Sequence, residues 1–154
     1  MKERIGILTG GGDCPGLNAV IRAVVKTATK LDWETIGFLG GYEGLLDKEY
    51  LHLDYKKMDS LLNRGGTILG TSNKGRFAVK TGVGQLNQLD PNVMAASLKN
   101  FHELGLKGLV CVGGDGSLTI AQQLFEGGIP LVGVPTTIDT DLEGTLLPVG
   151  FASA

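Results

Sequence analysis

Apolar residues along this chain fall in short dense runs, separated by polar junctions rich in glycine. Ile5-Gly-Ile-Leu8 is short and β-branched, and Thr-Gly-Gly-Gly-Asp-Cys-Pro-Gly follows at once. That order predicts a buried strand ending in a tight loop. From Leu17 the spacing changes: Leu17, Val20, Ile21, Val24, Val25 and Ala28 recur at steps of three and four, one apolar stripe of a helix. Trp33 to Leu39 reads as a second strand, Tyr50 to Leu53 as a short edge strand, and Lys57 to Leu62 as a short helix. The stretch from Arg64 to Gly84 is rich in Gly, Thr, Ser and Lys and has little periodicity. It reads as a long loop, and loops of that length inside compact domains are usually functional or mobile.

Order returns at Pro91, which suits a first helical turn with Asp90 as cap, and Val93, Leu98, Phe101 and Leu104 can face inward. Gly108 to Val112 then predicts a strand, Gly113 to Ser117 a loop, Leu118 to Leu124 a helix, and Pro130 to Val134 another strand. Strands alternating with helices argue for an α/β fold, an open, mainly parallel sheet with helices on both faces in a Rossmann-like three-layer arrangement. Such sheets take ligands at loops outside the carboxyl ends of their strands. Three polar loops follow three apolar strands here, and they are the main lead. Residues 142–154 stop on an apolar segment that reads as the start of another helix. A truncated chain with an incomplete second domain is therefore expected, with apolar surface left bare where sheet neighbours are missing.

Composition narrows the classes. The chain has 154 residues, 42% hydrophobic and 19% charged, enough for the core of one domain and too apolar for a disordered tail. Its net charge of −2 gives no electrostatic reason to propose nucleic acid or an acidic membrane surface as partner. No apolar run is long enough to span a bilayer, and MKERIGIL lacks a secretory core. Two cysteines make no disulfide framework, which points to a cytoplasmic protein.

The chemistry lies in the three loops. In Gly10-Gly-Gly-Asp-Cys-Pro-Gly16, successive glycines let backbone approach a phosphate, and the following helix start offers free N–H groups. The spacing is neither a Walker A loop nor the usual dinucleotide motif, and such a turn can also be purely structural. In Gly113-Gly-Asp-Gly-Ser117, the carboxylate of Asp115 can take a hard cation such as Mg2+, with Gly114 and Gly116 leaving room for phosphates. The bland alternative is an Asp capping the next helix. Pro135-Thr-Thr-Ile-Asp-Thr-Asp141 sets two carboxylates two residues apart, on one side of an extended segment. Close carboxylates raise one another's pKa, which suits one of them to accept a proton from a sugar hydroxyl. A solvated acidic turn is the competing reading.

Taken together, GGGDCPGLNAVIR, NRGGTILGTSNKGR, CVGGDGS and PTTIDTD, followed by GT and GF, resemble the phosphofructokinase family in order and spacing from Ile5 to Gly150. The resemblance implies ATP-dependent phosphorylation of fructose 6-phosphate at its 1-hydroxyl, with Mg2+. It implies a nucleotide-binding domain over residues 1–141 and the start of a sugar-phosphate domain over 142–154. By position, Gly12, Asn73 and Lys74 would contact the nucleotide, Gly114, Asp115, Gly116 and Ser117 would cradle its phosphates, and Asp115 would hold Mg2+. Thr137 would contact the phosphoryl group in flight, Asp139 would be the base for the sugar hydroxyl, Asp141 would support it, and Thr137, Ile138, Asp139 and Asp141 would bind the substrate. Pyrophosphate-using relatives typically have Asp at the position of Gly116 and Lys at that of Thr136, so both residues favour ATP. The chain departs from many members at Thr140, Leu146 and Asn73, and at the effector site, where Arg22 matches but Lys26 and Tyr55 replace arginines. By family resemblance the full-length protein is a homo-oligomer, a homotetramer.

The competing readings are a pyrophosphate-dependent relative, a kinase of NAD or diacylglycerol type, and a non-catalytic nucleotide-binding fragment that pairs with a longer subunit. Cys14 and Cys111 read as packing residues, His52 and His102 as no metal pair, Lys56-Lys57 as a solvated face, and Trp33 as core.

Overall fold

The computed structural model describes residues 2–10, 16–56, 58, 69–70 and 89–136. The elements are β1 (Arg4–Thr9), α1 (Leu17–Lys30), β2 (Glu34–Phe38), α2 (Tyr42–Asp47), β3 (Tyr50–His52), α3 (Pro91–Glu103), β4 (Leu106–Gly113), α4 (Asp115–Glu126) and β5 (Leu131–Pro135). The strands form one sheet in the order β3-β2-β1-β4-β5, parallel except for the short β3, which pairs antiparallel with β2.

The two-residue period of the strands divides the core between two faces. Leu8, Ile36, Phe38, Leu109 and Cys111 join Tyr42 and Leu45 of α2, Phe101 of α3, and Ala121 and Leu124 of α4. Ile7, Val110 and Val112 point the other way and join Leu17, Ile21 and Val25 of α1. Helices thus cover both faces, as the alternation of runs predicts. The α1 stripe is as expected, with Val20 and Val24 at its half-buried margin. Asp90 caps α3, its carboxylate accepting from the Asn92 N–H at 2.8 Å. Phe101 is buried, and Val93, Leu98 and Leu104 pack against the same core.

Several expectations change. The helix after β4 begins at Asp115 rather than Leu118, so the expected loop from Gly113 to Ser117 is mostly first helical turn. The six-residue α2 has no counterpart in the sequence reading. Trp33 lies outside both core clusters, half-buried before β2. It lines a cavity of about 380 Å³ with Asp32, Glu34, His52 and Tyr55. Val132 of β5 is 63% exposed. Of the expected helix over Lys57 to Leu62, only Met58 is described, and it is helical with residues 55 and 56. The expected loop from Arg64 to Gly84 lies outside the described residues except for 69–70, and residues 142–154 lie wholly outside them.

Candidate nucleotide site

β1 feeds α1 and β2 on one side, while β4 lies on the other side of β1, so the strand order reverses between β1 and β4. α1 covers one face and α4 the opposite one. Their connections therefore part at the carboxyl ends of β1 and β4, where open α/β sheets form a ligand crevice. Three backbone segments meet there. The Gly10 N–H donates to the Val112 carbonyl at 2.8 Å, and the Thr136 N–H donates to the Gly113 carbonyl at 3.0 Å.

Glycine makes this meeting possible. A Cβ on Gly113 would sit 2.8 Å from the Gly10 carbonyl oxygen, and one on Gly10 would strike the Ser117 hydroxyl. Both positions exclude side chains on packing grounds alone. Gly116 is different: it is exposed, and a Cβ there would meet nothing within 4 Å. A side chain there would face open space.

The helix starts are polar and uncapped by side chains. Gly16 precedes α1 with a left-handed φ of 97°, Gly114 precedes α4, and neither supplies a side-chain oxygen to the first turn. The first N–H groups of an α-helix have no partner within the helix, and the dipole favours an anion there. Thr136 adds a buried hydroxyl, 7% exposed, whose Oγ1 has no hydrogen-bond partner among the described residues. It immediately follows β5, next to Gly114.

Asp115 stands in the first turn of α4, exposed, and its carboxylate forms no ion pair among the described residues. The capping alternative is removed, because Gly114 occupies the cap position and no side-chain cap bond forms. A single solvent-facing carboxylate fits Mg2+, which retains waters and takes one or two carboxylates beside substrate phosphates. Among the described residues no group of three or more His, Cys, Asp or Glu side chains could hold a metal by itself.

Gly114, Asp115, Gly116 and Ser117 are thus brought together at one helix start. Gly12, Asn73, Lys74, Thr137, Ile138, Asp139 and Asp141 lie outside the described residues. The reading of residues by motif overlooked Tyr42. Its ring is buried in the core beneath this junction, and its hydroxyl donates to the Ser117 carbonyl at 2.6 Å. Burial raises its pKa far above the phenol range, with the adjacent Cys111 thiol adding to the shift. Cys111 packs in the core as expected, and burial pushes its thiol up to about 12. Lone Tyr42, between Gly41 and Glu43, carried no motif to single it out.

The fold is thus an open, mainly parallel α/β sheet with a glycine-rich crevice at its switch point, the place where such sheets take ligands. The phosphofructokinase family profile matches residues 4–154, and this chain belongs to that family. It is 51% identical over 154 residues to the ATP-dependent 6-phosphofructokinase of Chloroflexus aggregans, covering 99% of this chain and 42% of that protein. It is 44% identical over 156 residues to ATP-dependent 6-phosphofructokinase 2 of Clostridium perfringens, again covering 42% of the relative. Among solved structures, phosphofructokinase from Saccharomyces cerevisiae superposes with a TM-score of 0.78 at 29% identity, covering 99% of this chain and 22% of that one. The chain thus spans about two-fifths of the length of these bacterial relatives. No helix among the described residues is long and apolar enough to cross a membrane.

Proposed function

We propose that this chain carries the ATP-side half of a 6-phosphofructokinase, a cytoplasmic homo-oligomer that phosphorylates fructose 6-phosphate at its 1-hydroxyl. The observation that carries the reading is the start of α4: an uncapped first turn with an exposed carboxylate at Asp115, in no ion pair among the described residues, and open space at Gly116. Relatives named for ATP-dependent 6-phosphofructokinase activity support it. Residues 1–141 form the donor domain in this reading, and 142–154 begin the sugar-phosphate domain. The Gly114 to Ser117 turn cradles the nucleotide phosphates, with Gly12, Asn73 and Lys74 contacting the same nucleotide. Asp115 would hold Mg2+, whose charge offsets that of the phosphates. Thr137 and Ile138 line the path of transfer, Asp139 accepts the proton of the sugar hydroxyl, and Asp141 supports it. In-line phosphoryl transfer asks for positioning and charge neutralisation above all, and these roles supply both.

The donor choice follows from space. Gly116 leaves room for the α-phosphate of ATP, where an Asp would crowd and repel it, and Thr136 brings no cationic charge for a small inorganic donor. Titration calorimetry with ATP–Mg2+ and with pyrophosphate–Mg2+ tests this. Binding of ATP at least about tenfold tighter than pyrophosphate is expected, a difference of about 1.4 kcal/mol. Tighter binding of pyrophosphate, or no ATP binding, overturns it.

A further inference from the structure

Two residues of the expected long loop, Leu69 and Gly70, are fastened to the carboxyl ends of β1 and β2. The hydroxyl of Thr9, the last residue of β1, donates to the Gly70 carbonyl at 2.9 Å. The Gly40 N–H, two residues past β2, donates to the Leu69 carbonyl at 2.9 Å. The Leu69 side chain is buried in the core on the α1 face, with Ile7, Leu53 and Met58. It fills the space above Gly37, where a Cβ would come 2.6 Å from Leu69 Cδ2. Gly70 is exposed by contrast, with a left-handed φ of 73°. The chain is therefore plugged into the core at one residue and turned at the next. The two accepted carbonyls belong to consecutive peptide planes, so both planes are fixed.

This anchor stands beside the crevice, because Thr9 directly precedes Gly10, whose N–H bonds the end of β4. We infer that Thr9 is a positioning residue for the part of the nucleotide site carried by Asn73 and Lys74. The inference rests on the ATP reading above, in which those two residues contact the nucleotide. They follow Gly70 by three and four residues, so covalent geometry keeps their α-carbons within about 11 Å and about 14 Å of its own. Thr9 is wholly buried and acts through Gly70, whose carbonyl at an exposed turn would otherwise bond only to water. A fixed point of departure removes conformations that binding would have to remove, so contacts made just beyond it cost less ordering.

Thr9→Val removes the hydroxyl and nearly keeps the shape, whereas Thr9→Ser keeps the hydroxyl. Calorimetry with ATP–Mg2+ on the unaltered chain, these two variants, an Asn73→Ala/Lys74→Ala chain, and that chain with Thr9→Val added makes a mutant cycle. Thr9→Val is expected to weaken ATP about fivefold, the size of one neutral hydrogen bond, and Thr9→Ser to restore affinity to within about twofold. Once Asn73 and Lys74 are truncated, Thr9→Val is expected to add no further loss. If Thr9→Val binds ATP as the unaltered chain does, or Thr9→Ser loses as much as Thr9→Val, the inference fails while the ATP reading stands. An equal loss with and without Asn73 and Lys74 also overturns it, since that marks general loosening, and so does full affinity in the Asn73→Ala/Lys74→Ala chain. If the unaltered chain binds no ATP, both readings fall together. Should Thr9→Val not fold, Gly70→Ala disturbs the same turn from the surface, where a Cβ has room but the left-handed φ is strained. Its loss of ATP affinity must likewise vanish without Asn73 and Lys74; an unchanged affinity overturns the anchor.

Discussion

At Asp115 the carboxylate is placed by a helix turn rather than by partners, so its chemistry can be altered with little effect on the fold. Asp115→Asn keeps the shape and removes the charge at an exposed position, where stability changes stay within about 0.5 kcal/mol. Mg2+-dependent ATP affinity is expected to drop at least about tenfold by calorimetry, with an unchanged thermal melt. Gly116→Asp tests the space beside it: the new carboxylate should weaken ATP more than pyrophosphate in the same titration. Cys111 gives a pH prediction. Its folded-state pKa is raised by burial to about 12, whereas an unfolded thiol titrates near about 8.5. Its contribution to stability is therefore whole below about pH 8.5 and is lost progressively as pH rises toward the folded value. Urea melts of Cys111→Ala should show a shallower alkaline decline than the unaltered chain, with buried Tyr42 accounting for part of what persists.

Among the elements, those with a clean period were legible and those set by tertiary contact were not. β1, β4 and α1 announce themselves because each buries a face through many residues, at two-residue or 3.6-residue spacing. α3 was legible from Asp90 and Pro91, and the cap carries measurable weight: Asp90→Ala should cost about 1 kcal/mol in chemical denaturation. Within α1, Ile21→Ala should cost about 2–5 kcal/mol, because the side chain is wholly buried between helix and sheet. α2 was not legible. It is too short to nucleate on local preference and has Gly44 inside it, where a Cβ would lie 2.7 Å from the Leu39 nitrogen and 2.9 Å from the Glu49 carbonyl oxygen. Its bonds to Asn100 and Ser117 come from chain distant in sequence. The start of α4 was misjudged for a related reason, since glycines at 113, 114 and 116 read as loop by propensity. In the fold, Gly116 lies inside the first helical turn, which the packing of Ser117 against Gly10 and Gly113 holds.

On the scale of the described fold, a five-stranded sheet brings Gly10 after β1 and Gly113 at the end of β4 to one edge, and the order of strands opens a crevice there. The junction of β1, β4 and α4 was legible as motifs, because the spacing of its glycines survives in sequence. The bracing behind it was not, because it consists of single side chains reaching across the fold. The account depends on the Asp115 carboxylate and the Asp139 carboxylate facing one another across that crevice, metal-nucleotide on one side and sugar hydroxyl on the other. Replacing Mg2+ by paramagnetic Mn2+ with ATP, on a 15N-labelled chain, reads this directly, since resonances near the ion broaden. Amides of residues 114–117 and 137–141 are expected to broaden together when ATP–Mn2+ binds. Broadening around Asp115 that leaves the Asp139 segment sharp would contradict the account.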